Sequence, residues 1–264
     1  MGRAKETKRI RDEAKEARKS DRLRKAAEKF AEEREHTAPA LRPMNKKQEY
    51  YLHLLKTKQL VIATGLFGTG KSFMAAAYAA DLLRKNEIDR IIVCRPNVEC
   101  GSHGTGFKPG GVLQKNEPFL KSILETLKKR LGPGAYSTLL GDGQTGRIEV
   151  QEVATIRGRD FSDRCIILVD EFQLTTCAEA LAIATRLGEH AQMICMGDLR
   201  QNDLKGTSGL QWLIDFVTRH EINGVGIVDF DEPEDVVRSG IGRLFALGLM
   251  TDRNKGVWTP EAGL

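Results

Sequence analysis

The chain has 264 residues, 41% of them hydrophobic, and a formal net charge of +5, which suits one sizeable domain with a core and tails. No apolar run approaches the length of a membrane span, and the charged N-terminus is unlike a secretory signal. The five cysteines form no C-x-x-C pair and no ligand-spaced cluster with the five histidines, so we expect a reduced, cytoplasmic protein without structural zinc.

The chain begins with a strongly charged segment, residues 1–36, which carries 13 Lys/Arg against 9 Asp/Glu and therefore a net charge of +4. Its few apolar residues are isolated, so we interpret it as a solvated helix or disordered tail. An electrostatic arm for nucleic acid or a partner is the alternative. Pro39 and Pro43 mark a linker, which predicts a tail and linker at 1–43 and a folded domain from Met44.

Strands and helices alternate through the predicted domain, 44–250, and a tail follows at 251–264. The predicted strands are 59–64, 90–94, 147–153, 165–169, 193–196 and 225–230. The predicted helices are 46–56, 71–85, 117–130, 175–187, 207–219 and 233–248. This alternation predicts an α/β fold, a three-layer sandwich with a mostly parallel sheet. Glycine-rich segments at 97–116 and 131–147 are predicted loops.

The segment 65–72 fits the phosphate-binding pattern G-x-x-x-x-G-K-[ST]. It lies between a predicted apolar strand and an alanine-rich helix, which is the order that this P-loop requires. Lys71 is expected to reach the β- and γ-phosphates, and the Ser72 hydroxyl to ligate Mg²⁺. A chance glycine-rich turn is the alternative. The loop residues expected to bind the nucleotide are Gly65, Phe67, Gly68, Thr69, Gly70, Lys71 and Ser72.

A second half of the nucleotide site is predicted where the apolar strand 165–169 ends in two acids. Buried strands that end in carboxylates are costly unless the acids have a role. Asp170 is the expected partner of Mg²⁺, and Glu171 the residue that orients and deprotonates the attacking water. A surface acid pair without such a role is the alternative.

Two amide-bearing elements point to a RecA-like, helicase-like core. The segment 170–173 resembles the D-E-x-Q box of helicase-like ATPases, and 197–201 resembles the G-D-x-x-Q element that follows a strand in superfamily 1 helicases. Gln201 is expected to sense the γ-phosphate, because an amide can donate to phosphate and accept from water. An ordinary turn at Gly197 and Asp198 is the alternative.

Seven short elements in order resemble those of the PhoH-like family of P-loop ATPases, several of which are phage proteins with one ATPase domain. The resemblance covers about 45–248. The elements are N-K-K-Q-E-Y (45–50), R-P-N-V-E (95–99), G-T-G-F-K-P-G (104–110), R-G-R-D-F (157–161), D-E-F-Q (170–173), T-R-L-G (185–188) and D-V-V-R-S (235–239). If the chain is encoded by a phage, the resemblance places it in the host cytoplasm.

The resemblance implies roles for Gln48 and Arg238. In similar ATPases a glutamine at the position of Gln48 reads the adenine edge and favours ATP over GTP; a surface glutamine on a helix is the alternative. Arg238 opens a predicted helix at a position that supplies an arginine finger, in cis or from a neighbouring subunit. A structural ion pair of Arg238 with Asp235 or Glu234 is the alternative.

Three further arginines follow from the same resemblance. Arg95 lies just beyond a strand, where helicase-like proteins contact the nucleic-acid backbone, and an arginine can do so by bidentate phosphate contact. Arg159 and Arg186 are expected either to do likewise or to cap loops structurally.

The function implied is Mg²⁺-dependent ATP hydrolysis, coupled to binding, translocation on or remodelling of single-stranded RNA, with DNA as the alternative polymer. The catalytic residues expected are Lys71, Glu171, Gln201 and Arg238. A single P-loop domain lacks the second RecA-like lobe of monomeric helicases, which predicts a homo-oligomer such as a hexameric ring. A P-loop small-molecule kinase and a non-catalytic ATP-binding switch module are the alternative functions.

Overall fold

The computed structural model describes residues 38–96, 112–141, 146–156, 158–202 and 206–257. The strands are β1 (Leu60–Gly65), β2 (Arg90–Arg95), β3 (Ile148–Glu152), β4 (Cys165–Val169), β5 (Gln192–Met196) and β6 (Val225–Phe230). The helices are α1 (Lys46–Thr57), α2 (Lys71–Arg84), α3 (Val112–Leu131), α4 (Pro133–Leu139), α5 (Val153–Ile156), α6 (Cys177–Ala184), α7 (Gly209–Arg219) and α8 (Ile241–Asn254). Short 3₁₀ turns lie at Phe172–Leu174, Leu199–Gln201 and Pro233–Asp235.

In the described part of the chain the strands form one six-stranded sheet in the order β3-β2-β4-β5-β1-β6. Every neighbouring pair is parallel. The predicted α/β fold with a mostly parallel sheet is therefore confirmed. Because the strands are parallel, the carboxyl ends of β4, β5 and β1 lie side by side at one edge of the sheet. This edge is where open α/β sheets bind ligands.

Helices cover both faces of the sheet, which confirms the predicted three-layer sandwich. Buried side chains of α1, α2, α3 and α4 form one core with the sheet, and those of α5, α6 and α7 form the other. Burial of each large apolar side chain stabilises the fold by about 1.5–3 kcal/mol. The alanines of α2 let its backbone approach the sheet closely; those that are 0% exposed are Ala75, Ala76, Ala77, Ala79 and Ala80.

The predicted loops contain more helix than expected. Helix α3 begins at Val112, inside the predicted loop 97–116, and α4 occupies Pro133–Leu139 of the predicted loop 131–147. Pro133 stands in the first turn of α4, where its missing N–H costs no hydrogen bond. Gly132 and Pro133 of the second segment therefore start a helix where the sequence predicts a loop.

The predicted helix 233–248 is wrong in its first half. A 3₁₀ turn at Pro233–Asp235 is followed by extended backbone, and α8 runs only from Ile241 to Asn254. The backbone N–H groups of Val237 and Arg238 donate to Gly68 O at 3.0 Å each. These bonds to the phosphate loop replace the intrahelical ones, so Arg238 lies in a segment packed on that loop and does not open a helix.

Several predicted features lie outside the described residues. These are the charged segment 1–36, the positions 97–99 and 104–110 of the family elements, Arg157, and the end of the C-terminal tail from Trp258. No described helix is both long enough and apolar enough to span a membrane.

Candidate nucleotide-binding site

A cavity of about 520 Å³ opens at the edge of the sheet where β1, β4 and β5 end. Its lining comes from the loops after these strands, from the first turn of α2, from α1 and the segment before it, from Ser122 of α3 and from the extended segment before α8. Every residue predicted for the nucleotide, the metal and catalysis lines it: Gln48, Gly65, Phe67, Gly68, Thr69, Gly70, Lys71, Ser72, Asp170, Glu171, Gln201 and Arg238. The three arginines predicted to contact nucleic acid do not line this cavity.

Glycine is required in the phosphate loop at both of its ends. Gly65 has a φ of 114°, and a Cβ there would lie 2.5 Å from Phe230 O. Gly70, which precedes the first residue of α2, has a φ of 85°. Only glycine adopts these angles without strain. The loop can therefore turn sharply from β1 into α2 and present the N-terminus of α2 to the cavity, as anion binding requires.

Lys71 is held inside the phosphate loop. Its Nζ donates to Gly65 O at 2.7 Å, to Leu66 O at 2.6 Å and to Thr69 Oγ1 at 3.3 Å. Burial lowers the pKa of Lys71 to about 8, although nearby carboxylates, Asp198 foremost, act in the opposite direction. A bound phosphate would favour the charged amine, because an opposite charge stabilises the protonated form.

The metal-ligating residues predicted from the sequence lie in direct contact. Ser72 Oγ donates to Asp170 Oδ1 at 3.1 Å. Burial, and secondarily the charge of Glu171, raises the pKa of Asp170 to about 6. A divalent cation would favour ionised Asp170. One hydroxyl and one carboxylate, both hard oxygen donors, fit Mg²⁺, which typically takes one or two protein ligands and completes its shell with phosphate oxygens and water.

Glu171 is fixed by a residue to which the sequence patterns assign no role. Gln173 Nε2 donates to Glu171 Oε2 at 2.6 Å, and Gln173 Oε1 accepts from the backbone N–H of Asp198 at 3.2 Å. Glu171 itself has a φ of 54°, a left-handed conformation that is uncommon outside glycine. The signal that pointed to Gln173 was its place in the D-E-x-Q box.

The loop after β5 is organised by Asp198. Its carboxylate accepts from Gln201 Nε2 at 3.1 Å and from Arg200 N at 3.1 Å. Asp198 is only 6% exposed and lines the cavity together with Gln201. The sequence pattern places this aspartate in the G-D-x-x-Q element without a role of its own; its contact with Gln201 depends on the 3₁₀ turn that follows it.

Gln48 is a buried residue, 3% exposed, so the alternative of a surface glutamine is wrong. Its Nε2 donates to Thr69 O at 2.8 Å, and its Oε1 accepts from Met44 N at 2.8 Å. The side chain therefore braces the phosphate loop against the start of α1. Each end of an amide can make one further hydrogen bond, so recognition of adenine by Gln48 stays a prediction.

Arg238 packs directly over the phosphate loop of its own chain. A Cβ added at Gly68 would lie 3.0 Å from Arg238 Cβ. Asp235 is 3% exposed and pairs with Lys47 Nζ at 3.1 Å. Among the described residues, Arg238 forms no ion pair with Asp235 or Glu234, so that alternative is wrong. Its role as an arginine finger stays a prediction.

The remaining predicted arginines have three different environments. Arg95 is 9% exposed and packs over the Phe119 ring at 4.5 Å from its centroid. Arg159 Nη1 donates to Glu149 Oε2 at 2.6 Å, and Glu149 is completely buried. Arg186 is exposed. Arg159 therefore forms an ion pair with a strand residue, which is not the predicted loop cap, and contact of the three arginines with nucleic acid stays a prediction. Of the three, Arg186 is the most exposed.

Comparison with solved structures returned helicases at low similarity. The UvsW helicase from bacteriophage T4 is 13% identical, with a TM-score of 0.44 over 73% of this chain and 62% of that one. The Pif1 helicase from Candida albicans is also 13% identical, with a TM-score of 0.40 over 84% of this chain and 46% of that one.

Sequence comparison gives a much stronger result. Protein PhoH of Escherichia coli strain K12 is 36% identical over 214 residues, which are 80% of this chain and 58% of that protein. A PhoH-like protein of Bacillus subtilis is 37% identical over 193 residues, 72% of this chain and 58% of that protein. The chain thus spans a little over half of these relatives. The family model described as PhoH-like protein matches residues 40–246, so the chain belongs to the PhoH-like protein family and has a P-loop NTPase fold.

Proposed function

We propose that the protein hydrolyses ATP with Mg²⁺ in the cavity at the carboxyl edge of the sheet. One observation carries the proposal: Ser72 and Asp170 are in hydrogen-bond contact while Lys71 and Glu171 line the same cavity. Family membership and the P-loop fold support nucleotide hydrolysis in general. ATP as the nucleotide and Mg²⁺ as the metal follow from the chemistry of the residues.

In this proposal the phosphate loop binds the triphosphate, and Lys71 exchanges its loop carbonyls for phosphate oxygens. Ser72 and Asp170 would hold Mg²⁺, which neutralises charge on the β- and γ-phosphates when bound. Formation of the metal site requires ionised Asp170. The cost of burying that carboxylate is then offset by the cation.

Glu171 orients and deprotonates the attacking water in the same scheme. Its Oε2 is held by Gln173, and its Oε1 accepts no hydrogen bond from any residue that the structure describes. One carboxylate oxygen is thus fixed while the other stays available to accept a proton from water. Gln201 and Arg238 lie on the cavity wall, where they contact the γ-phosphate as it is transferred.

We further propose that hydrolysis is coupled to single-stranded RNA and takes place in a homo-oligomer. Helix α8 follows the Arg238 segment and exposes Ile241, Leu244 and Phe245 by 72%, 67% and 71%. Three large apolar side chains at helical spacing on one surface favour contact with another protein surface. A second copy on α8 would place a second RecA-like lobe beside the segment that contacts the phosphate loop.

The catalytic proposal is tested by phosphate release from Mg²⁺-ATP, measured alone and with single-stranded RNA or DNA at low salt. We expect release from the wild-type chain, stimulated by RNA more than by DNA. Glu171→Gln should bind ATP normally and lose turnover by about 10²- to 10⁴-fold, the usual contribution of a general base. Glu87→Gln, at an exposed surface position, is the matched control and should behave as wild type.

Absence of phosphate release under all these conditions would refute hydrolysis, and ATP-dependent phosphorylation of a small acceptor would favour a kinase. Release without any nucleic-acid binding would refute only the coupling to RNA. Sedimentation of wild type and of Phe245→Glu, with and without nucleotide, tests the assembly. A wild-type monomer in every condition would refute the oligomer.

A further inference from the structure

The amide of Gln173 joins the ends of two neighbouring strands. It lies after β4 and is 1% exposed. Its nitrogen donates to Glu171 Oε2 at 2.6 Å, and its oxygen accepts from Asp198 N, after β5, at 3.2 Å. Both of its partners line the nucleotide cavity.

This connection requires the chemistry of an amide. Glu171 in its ionised form only accepts hydrogen bonds, and a backbone N–H only donates them. A side chain between them must therefore donate at one end and accept at the other. A glutamate at position 173 would keep the acceptor for Asp198 N but oppose the carboxylate of Glu171, and a methionine would satisfy neither group.

The connection continues to the residue expected to sense the γ-phosphate. Asp198 receives the hydrogen bond of Gln201 Nε2 at 3.1 Å. The side chain of Gln173 packs closely against the backbone of the β5 loop, since a Cβ added at Gly197 would lie 2.4 Å from Gln173 Oε1. A displacement of the β5 loop would therefore move the amide of Gln173 and, with it, the carboxylate of Glu171.

We propose that Gln173 is a positioning residue that links Gln201 to Glu171, so that γ-phosphate contact in the loop after β5 sets the orientation of the carboxylate that activates water. The inference deepens the proposed hydrolysis and rests on it. ATP binding itself depends on the phosphate loop, to which Gln173 makes no hydrogen bond. The linkage therefore acts on turnover and leaves affinity for the nucleotide unchanged.

The test compares Gln173→Glu and Gln173→Met with wild type in kcat, KM, the Kd for ATP and the midpoint of thermal unfolding. The linkage predicts a fall in kcat of about 10- to 100-fold, the size expected when a catalytic group is misplaced, with KM and Kd within about two-fold of wild type. Gln173→Glu tests the donor end alone, since it retains an acceptor for Asp198 N.

Gln151→Met is the matched control. Gln151 is also a buried glutamine, 4% exposed, whose Nε2 lies 3.5 Å from the carboxylate of a buried glutamate, Glu149. It lies on β3, away from the cavity. If burial of an amide is all that matters, Gln151→Met and Gln173→Met should lower the unfolding midpoint alike and leave kcat per folded molecule unchanged.

A double-mutant cycle with Gln201→Ala tests the linkage itself. We expect the effects of Gln173→Met and Gln201→Ala on kcat to be strongly less than additive, because either change breaks the same chain of contacts. Additive effects, or Gln173 variants with wild-type kcat, would overturn the inference while leaving hydrolysis intact. A wild-type chain without turnover would overturn both.

Discussion

Ser72 Oγ donates to Asp170 Oδ1 across 98 positions of sequence, at a distance of 3.1 Å. The contact joins the first turn of α2 to the end of β4. These two elements meet only because β4 and β1 lie on either side of β5 in a parallel sheet. The hydroxyl of Ser72 and the carboxylate of Asp170 thus lie where both could bind the magnesium ion of a magnesium–nucleotide complex.

Replacement of Asp170 by asparagine should stabilise the metal-free protein at neutral pH. The pKa of Asp170 is raised from 3.8 to about 6, so the folded state binds more protons than the unfolded state between these values. Its contribution to stability is therefore complete below pH 3.8 and is lost as pH rises through about 6. We expect Asp170→Asn to raise the free energy of unfolding by about 1–3 kcal/mol at pH 7.5.

Urea unfolding in EDTA at pH 7.5 and pH 4 measures this difference, which should shrink at the lower pH. With Mg²⁺-ATP the order should reverse, because loss of a metal ligand weakens binding of the magnesium complex and a ligand stabilises the folded state in proportion to its affinity. An Asp170→Asn variant that is less stable than wild type at pH 7.5 without metal would contradict the expectation.

Replacement of Gly70 by alanine should weaken ATP binding through the shape of the loop. Its φ of 85° is unfavourable for alanine, and the added Cβ would lie 2.9 Å from Gln48 Nε2. We expect a loss of about 1–2 kcal/mol in stability and at least ten-fold weaker ATP binding by calorimetry. Gly224→Ala has a similar φ of 83° with open space around the new Cβ. This control should lose stability and keep its affinity.

Replacement of Gln48 by alanine separates bracing of the loop from recognition of the base. Because Gln48 Nε2 donates to Thr69 O at 2.8 Å, we expect its loss to weaken ATP and GTP binding together, by about five- to ten-fold, the worth of one net hydrogen bond. Competition of both nucleotides against a fluorescent analogue gives the two affinities. A loss confined to ATP would instead assign recognition of adenine to this side chain.

Replacement of Arg159 by alanine should affect stability and not binding of nucleic acid. Arg159 pairs with completely buried Glu149 at 2.6 Å, and removal of one partner of a buried pair costs about 3–5 kcal/mol. Arg90 also contacts Glu149, at 3.0 Å, so the loss should fall at the lower end. Arg186→Ala, at an exposed position, should leave the unfolding midpoint unchanged and reduce stimulation by RNA. If Arg159→Ala instead reduced stimulation by RNA without loss of stability, Arg159 would contact nucleic acid.

Replacement of Arg238 by alanine should lower kcat by about 10³-fold, as for an arginine finger, with little change in the Kd for ATP. The structure packs Arg238 on Gly68 of its own chain, which favours action in cis. Mixing Arg238→Ala with Glu171→Gln subunits measures this. Action in cis predicts no recovery of turnover, whereas recovery would mean that Arg238 reaches a neighbouring site.

Local sequence determined most of the elements and two motifs, the phosphate loop and the pair of acids at the end of β4. Apolar runs and the alanine-rich segment define β1, β4 and α2, because side-chain periodicity is a property of a few neighbouring residues. The glycines at 65 and 70 specify the loop for the same reason: their backbone angles exclude other residues locally. The resemblance to the PhoH-like family rests on such short motifs, and so could be read from the sequence.

Which of these groups come into contact depends on the tertiary structure. The sheet order brings Asp170 to Ser72 and Gln173 to Asp198, and it places Arg159 on a buried glutamate away from the cavity. Helix 233–248 was predicted from local propensity, but hydrogen bonds to Gly68 O pull its first half onto the phosphate loop. The physical reason is common to all of these cases: contacts between residues far apart in sequence depend on the order of the strands, which no local pattern encodes.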